Sequence, residues 1–173
     1  MRLKENVEIE QDLIADARRM FTHESGHALM AFHQQIPDCG ICFREDKEQW
    51  ANLVEWPTST GLSDAYYLFL ASGSAGERLV YGDYCEGAAQ GDKSYFPEGI
   101  VPSFEQRVAE AEVTLRPCKA ALEKLKATLI DRFKQVRGVP TALPKVVHNN
   151  IEYHELLSKQ ALEDELKRIG LGS

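Results

Sequence analysis

Four cysteines in 173 residues are too few for a disulfide scaffold, so they are expected as reduced thiols in an intracellular chain. Long apolar runs are absent as well. The longest are short, such as Ala28-Leu29-Met30-Ala31-Phe32, against the ~18–20 residues that a membrane span needs. The first residues, Met1 to Glu8, lack the apolar centre of a signal peptide. Positive charge is the minority sign: 20 Lys plus Arg stand against 27 Asp plus Glu, a formal −7. That balance argues against a nucleic-acid binder working by phosphate neutralisation and, less directly, against adhesion to anionic lipid. No repeat, low-complexity tract or long linker is present. What is there is ordinary globular composition, 43% hydrophobic and 27% charged, at a length that suits one domain. The expectation is a single soluble, cytoplasmic domain over residues 1–173, with neither a nucleic-acid nor a membrane partner.

Apolar positions place the elements. Leu13, Ala17, Phe21, Ala28, Ala31 and Phe32 follow helical spacing from about Asp12 to Gln35, and Pro37 ends that helix. Ile41–Arg44 and Ala51–Trp56 read as two strands joined by the polar stretch Glu45–Gln49. A second helix, capped by Ser63 or Asp64, runs to Tyr81 with Gly82 just past its end. Its small residues Ala71, Gly73, Ala75 and Gly76 predict a central helix closely approached by another. Asp83–Gly91 reads as a loop. Ser103 and Gln106 form a capping-box pattern for a third helix, which Pro117 breaks or restarts. A last amphipathic helix, capped by Asn149 or Asn150, is expected through Leu162, Leu166 and Ile169. The fold class is therefore mainly α (α+β), with one small β-hairpin between the first two helices and a C-terminal helical extension over about 141–173.

The chemistry sits in His23-Glu24-Ser25-Gly26-His27, an H-E-x-x-H pattern. Four helical residues advance ~400°, so the two imidazoles lie ~40° apart on one face and ~6 Å apart along the axis. They can converge on one tetrahedral ion. Glu24 overlooks that ion without ligating it and is free to take a proton from metal-bound water. Zinc suits such a donor set, with three protein ligands and one open position. Gly26 costs ~1 kcal/mol against alanine inside a helix, which makes sense where something approaches the backbone closely. The third ligand has to come from elsewhere. His33 is ~120° round from His27 and reads as a solvated helix-end residue.

Three segments in order resemble the peptidase domain of FtsH-type zinc proteases, the M41 family. His23-Glu24-Ser25-Gly26-His27-Ala28-Leu29 resembles its zinc helix. Ala71 to Gly82 resembles its small-residue helix, and Glu86-Gly87-Ala88-Ala89-Gln90-Gly91-Asp92 its following loop. The resemblance covers residues 12–135. It implies that His23, His27 and Asp92 hold Zn2+ and that Glu24 is the catalytic base. One residue more than the family's pattern separates Gly87-Ala88 from Asp92, which leaves Glu86 as the other candidate ligand. Tyr95-Phe96-Pro97 interrupts the helix expected after the aspartate. Neither the family's ATPase nor its membrane spans are in this sequence. Substrates would then be peptides or unfolded protein, unless a separate ATPase docks.

Glu77, on an otherwise apolar helix, has two readings: an acceptor for a ligand histidine's free N–H, or an ion pair with Arg78 or another base. Cys39-Gly40-Ile41-Cys42 reads as ordinary buried thiols, and Cys85 and Cys118 as packing residues. His148 and His154 are expected in or near the last helix in solvated or capping roles. Trp50, Trp56, Tyr66 and Tyr67 read as core or hairpin packing. Ala51–Trp56 is the candidate edge strand for pairing with an extended peptide. The expected function is a zinc metallopeptidase in which Glu24 activates zinc-bound water. The alternatives are a metal-binding but non-hydrolytic adaptor and a purely helical interaction domain.

Overall fold

The structure, a computed structural model, describes residues 2–58 and 61–171, with side chains from residue 16 onward. Helix α1 spans Arg2–His33, ten residues earlier in its start than the sequence periodicity indicates. Strands β1 (Asp38–Arg44) and β2 (Gln49–Val54) follow, joined through a 3₁₀ turn at Glu45–Lys47. Helix α2 (Asp64–Tyr81) begins after Ser63 and ends at Gly82, whose φ of 84° is the left-handed dihedral expected there. Helix α4 (Phe104–Leu115) starts on the expected capping box. The Gln106 amide donates to Ser103 Oγ at 3.3 Å, and the Ser103 amide donates to Gln106 Oε1 at 2.7 Å. A 3₁₀ turn at Arg116–Cys118 carries Pro117, and α5 (Lys119–Gln135) continues beyond it.

Two expectations fail. Asp83–Gly91 is not a loop throughout, because Glu86–Lys93 forms helix α3. Neither Gly87 nor Gly91 takes a positive φ, so both serve as ordinary helical residues. Ala89 is fully buried beneath the element and supplies the anchoring contact.

The second failure is larger. The 141–173 segment is not a helical extension. It contributes β3 (Lys145–His148) and β4 (Ile151–Ser158) before α6 (Lys159–Arg168). Asn149 and Asn150 do not cap a helix. They adopt φ of 49° and 62° and form the tight turn between β3 and β4, the geometry in which two consecutive left-handed residues suit a hairpin. Ser158 is the cap, its Oγ accepting from the Ala161 amide at 3.1 Å.

The reason is visible in β4. Ile41 pairs with Leu157 but Cys42 pairs with Glu155, so Leu156 is an extra residue bulged from the ladder. Tyr153, Leu156 and Leu157 are all buried, which spaces them like a helix face although they lie on a strand.

The expected hairpin is thus half of a four-stranded antiparallel sheet in the order β2-β1-β4-β3. The molecule is mixed α and β. Helix α1 is central: α2 and α5 pack along it, α4 lies against α2, and α6 covers the sheet at β1 and β4. Phe21 meets Trp50 and Phe133 edge-on at 5.0 and 5.4 Å, which fastens β2 and α5 to α1. No described helix is long and apolar enough to cross a membrane.

Candidate metal centre

Close approach of α1 and α2 comes first, because it brings the parts together. A Cβ on Gly26 would lie 2.3 Å from the Ser72 carbonyl oxygen, so the two backbones touch where the motif sits. A Cβ on Gly73 would lie 2.4 Å from His23 Nε2. The small residues of α2 therefore make room for an imidazole as well as for a helix.

His23 and His27 project from successive turns of α1, each almost fully buried. Each ring is fixed by its Nδ1. His23 Nδ1 is 2.8 Å from Glu77 Oε1, and His27 Nδ1 is 2.7 Å from the Phe69 carbonyl. Carboxylate and carbonyl oxygens only accept, so both Nδ1 atoms carry protons and donate. In the neutral rings the Nε2 atoms are then bare lone pairs. They face one another at 3.0 Å, with Asp92 Oδ2 at 3.1 Å from His23 Nε2 and 3.3 Å from His27 Nε2. Asp92 comes from α3, whose helical form aims it here.

Three electron-rich atoms at this spacing repel unless something positive sits among them, a proton on His23 in the metal-free protein or a metal ion in its place. Ligands about 2.0–2.1 Å from a tetrahedral zinc are about 3.3 Å from one another, so the three atoms already match that ion. His23, His27 and Asp92 are the grouping of this kind among the described residues. Glu86 is elsewhere. Six helical residues separate it from Asp92, about 120° round the axis. It is exposed and paired with Lys93.

The titration of the metal-free cluster reflects the same crowding. Burial opposes a charge on His23, but Asp92 and Glu77 outweigh it and raise the imidazole to about 10. Burial likewise opposes a charge on Asp92, yet the two histidines hold it at about 2. Burial pushes Glu24 above its usual range, an effect softened by His27 and His23.

Glu24 leaves α1 towards the sheet. Its Oε2 accepts the Asn52 backbone N–H at 2.6 Å, so the expected edge strand β2 does border the centre. Asn52 is held in turn by Asp38, its Nδ2 donating to Oδ2 at 3.0 Å and Oδ1 at 3.2 Å. Desolvation raises Asp38 to about 6.

Glu77 has both kinds of partner that its two readings named, a histidine N–H and a base. Fully buried, it accepts from His23 on Oε1, and on Oε2 from Arg19 Nε at 2.6 Å and the Cys85 amide at 2.9 Å. The base is Arg19, not Arg78, which pairs with Glu105. Sequence reasoning missed Arg19, Asn52 and the Phe69 carbonyl. Only Arg19 carried a signal, lying one helical turn before His23 on the same face.

The remaining candidates disperse. His33 is an exposed residue at the end of α1, as expected, with Nε2 3.3 Å from Cys118 Sγ. His154 is neither solvated nor helical. It is buried on β4 between the Leu143 carbonyl and Glu45 Oε2, at 3.2 and 3.1 Å. His148 lies on β3. All four cysteines are free thiols. Cys42 is buried, but Cys85 is exposed and so is not the packing residue anticipated. Trp50 is in the aromatic core, whereas Trp56 stacks on Tyr95 at the surface, ring centroids 5.1 Å apart. No protein-family model, curated protein or solved structure matches the chain.

Proposed function

We propose that the chain is a zinc-dependent metallopeptidase acting on peptides or flexible segments. The observation behind this reading is the convergence of His23 Nε2, His27 Nε2 and Asp92 Oδ2 at zinc-ligand spacing, with Glu24 beside them on the same helix. Zinc, when bound, supplies a Lewis acid for the peptide carbonyl and lowers the pKa of water to about 7.

The chain's own residues supply the rest. Glu77 and the Phe69 carbonyl fix both imidazole tautomers, so the nitrogens that face the centre are the ones with lone pairs. Glu24 has one oxygen held by the Asn52 amide, which leaves the other to accept a proton and later pass it to the leaving amine. Its upward shift suits a group that must both take and release a proton. β2 is an outer strand of the sheet, and its edge beyond the Asn52 amide that Glu24 occupies supports an extended peptide as the substrate. The resemblance to M41 peptidases supports the same assignment.

One observation favours a second reading, a metal-binding but non-hydrolytic module. His23, Glu24 and His27 are all nearly inaccessible, and Glu24 is already engaged by the backbone of β2.

Two measurements separate the readings. Elemental analysis of purified protein should find about one zinc per chain. Glu24→Gln should retain that zinc and the fold while cutting peptide hydrolysis by about 10²–10⁴-fold. Wild-type protein that holds zinc yet hydrolyses no unfolded substrate would favour the non-hydrolytic module. Protein purified without metal, and unable to take it up, would end both.

A further inference from the structure

The pattern of motif, base and third ligand says nothing about Arg19, yet its guanidinium bonds two carboxylates near the centre and lies over an aromatic ring. It lies on α1, one turn before His23. Its Nε donates to Glu77 Oε2 at 2.6 Å, and its terminal nitrogen donates to Asp83 Oδ1 at 2.5 Å. Its plane is backed by the Tyr81 ring, 5.1 Å from the guanidinium carbon, and Tyr81 Oη is 3.2 Å from Thr22 Oγ1 on α1. Asp83 belongs to the turn between α2 and α3. The Cys85 amide, which begins α3, shares Glu77 Oε2.

We propose that Arg19 is a positioning residue that assembles the three-ligand centre by acting through Glu77 and Asp83. The inference rests on reading the cluster as a metal site. Glu77 is held from two sides, by the imidazole on one oxygen and by the guanidinium and the Cys85 amide on the other. A buried carboxylate in that grip has one orientation, and His23 inherits it. The second arm of the fork ties the α2–α3 turn to α1, which fixes where α3 starts and so where Asp92 arrives. Arginine is needed because two separated carboxylates are served by one rigid planar group. A lysine ammonium on a flexible stem reaches one of them.

The test compares wild type, Arg19→Met, Arg19→Lys and Asp83→Asn by zinc affinity in a chelator competition, and by the visible absorption of the cobalt(II)-loaded proteins. Arg19→Met should weaken zinc binding by about 10–100-fold and alter the cobalt spectrum, because the third ligand no longer arrives at tetrahedral spacing. Arg19→Lys should not restore wild-type affinity. Asp83→Asn, at an exposed side chain, should fold normally and lose affinity severalfold. Arg19→Met binding zinc within twofold of wild type, with an unchanged cobalt spectrum, overturns the proposal. If Arg19→Met does not fold, Asp83→Asn decides: a severalfold loss supports the strut and unchanged affinity overturns it. Wild-type protein that binds no zinc rejects the metal site itself, a result distinct from either.

Discussion

The seam between α1 and α2 and the region around α5 and α6 are buried to the same depth, but they are filled differently. Leu122, Leu125, Leu129, Leu162 and Leu166 fill the second with methyl groups that need no partner. The first buries His23, Glu24, His27, Ser72, Ser74 and Glu77 between glycines, and nearly every polar atom there has a named partner. Asn52 Oδ1 and Ser74 Oγ are the exceptions among the described residues, and both lie in or beside this half. An apolar region is specified by volume and tolerates exchange. A polar seam is specified by donors and acceptors one at a time, and a lost partner leaves a desolvated group behind. The leucine region is thus held by packing, and the seam by packing together with paired polar groups, among them the candidate metal ligands.

The comparison can be broken from either side. The largest expected effect is in the leucine region: Leu129→Ala should cost about 2–5 kcal/mol in denaturant unfolding, while zinc stoichiometry in the folded fraction stays at wild type. Loss of zinc binding there would show that the regions are not separable.

Gly73→Ala is the converse. The added methyl meets the His23 ring, so zinc affinity should fall steeply at a stability cost of only about 1–3 kcal/mol. Unfolding and metal titration on the same preparation distinguish the two. Equal zinc affinity would mean that the ring moves without consequence.

The smallest effect is in the pH dependence of the metal-free protein. Asp92 is held below its ordinary 3.8, so its contribution is present above 3.8 and is lost as pH falls towards about 2. His23 is raised above its ordinary 6.5, so its contribution is full below 6.5 and is lost as pH rises towards about 10. The urea midpoint should therefore decline from pH 6.5 upward in wild type. Asp92→Asn should flatten that decline, and Leu129→Ala should only displace it downward.

Much of the candidate site was legible because it is local. His23 and His27 share a helix face by spacing alone, and Gly26 announced the close approach that Ser72 makes. Asp92 was named through a resemblance, with Glu86 beside it. Their separation by about 120° round a helix cannot be read where the sequence indicates a loop and the structure forms α3. On the fold, the capping box at Ser103 and the stop at Gly82 were visible, being contacts within a few residues. Strand β4 was not, because the bulge at Leu156 places neighbouring side chains on one face and imitates helical spacing. His154 was misread for the same reason.

The sequence by itself determined the pair of imidazoles, the carboxylate beside them, both ends of α2, the start of α4 and the small-residue face, all of which follow from periodicity and backbone preference within a turn or two. Only the tertiary structure decided that Asp92 rather than Glu86 meets the histidines, that Glu77 is gripped by Arg19, and that Asn52 reaches Glu24. These partners stand 69, 58 and 28 residues apart. Such distances are closed by the packing of whole helices and strands, where a one-residue change of register turns a side chain to another face.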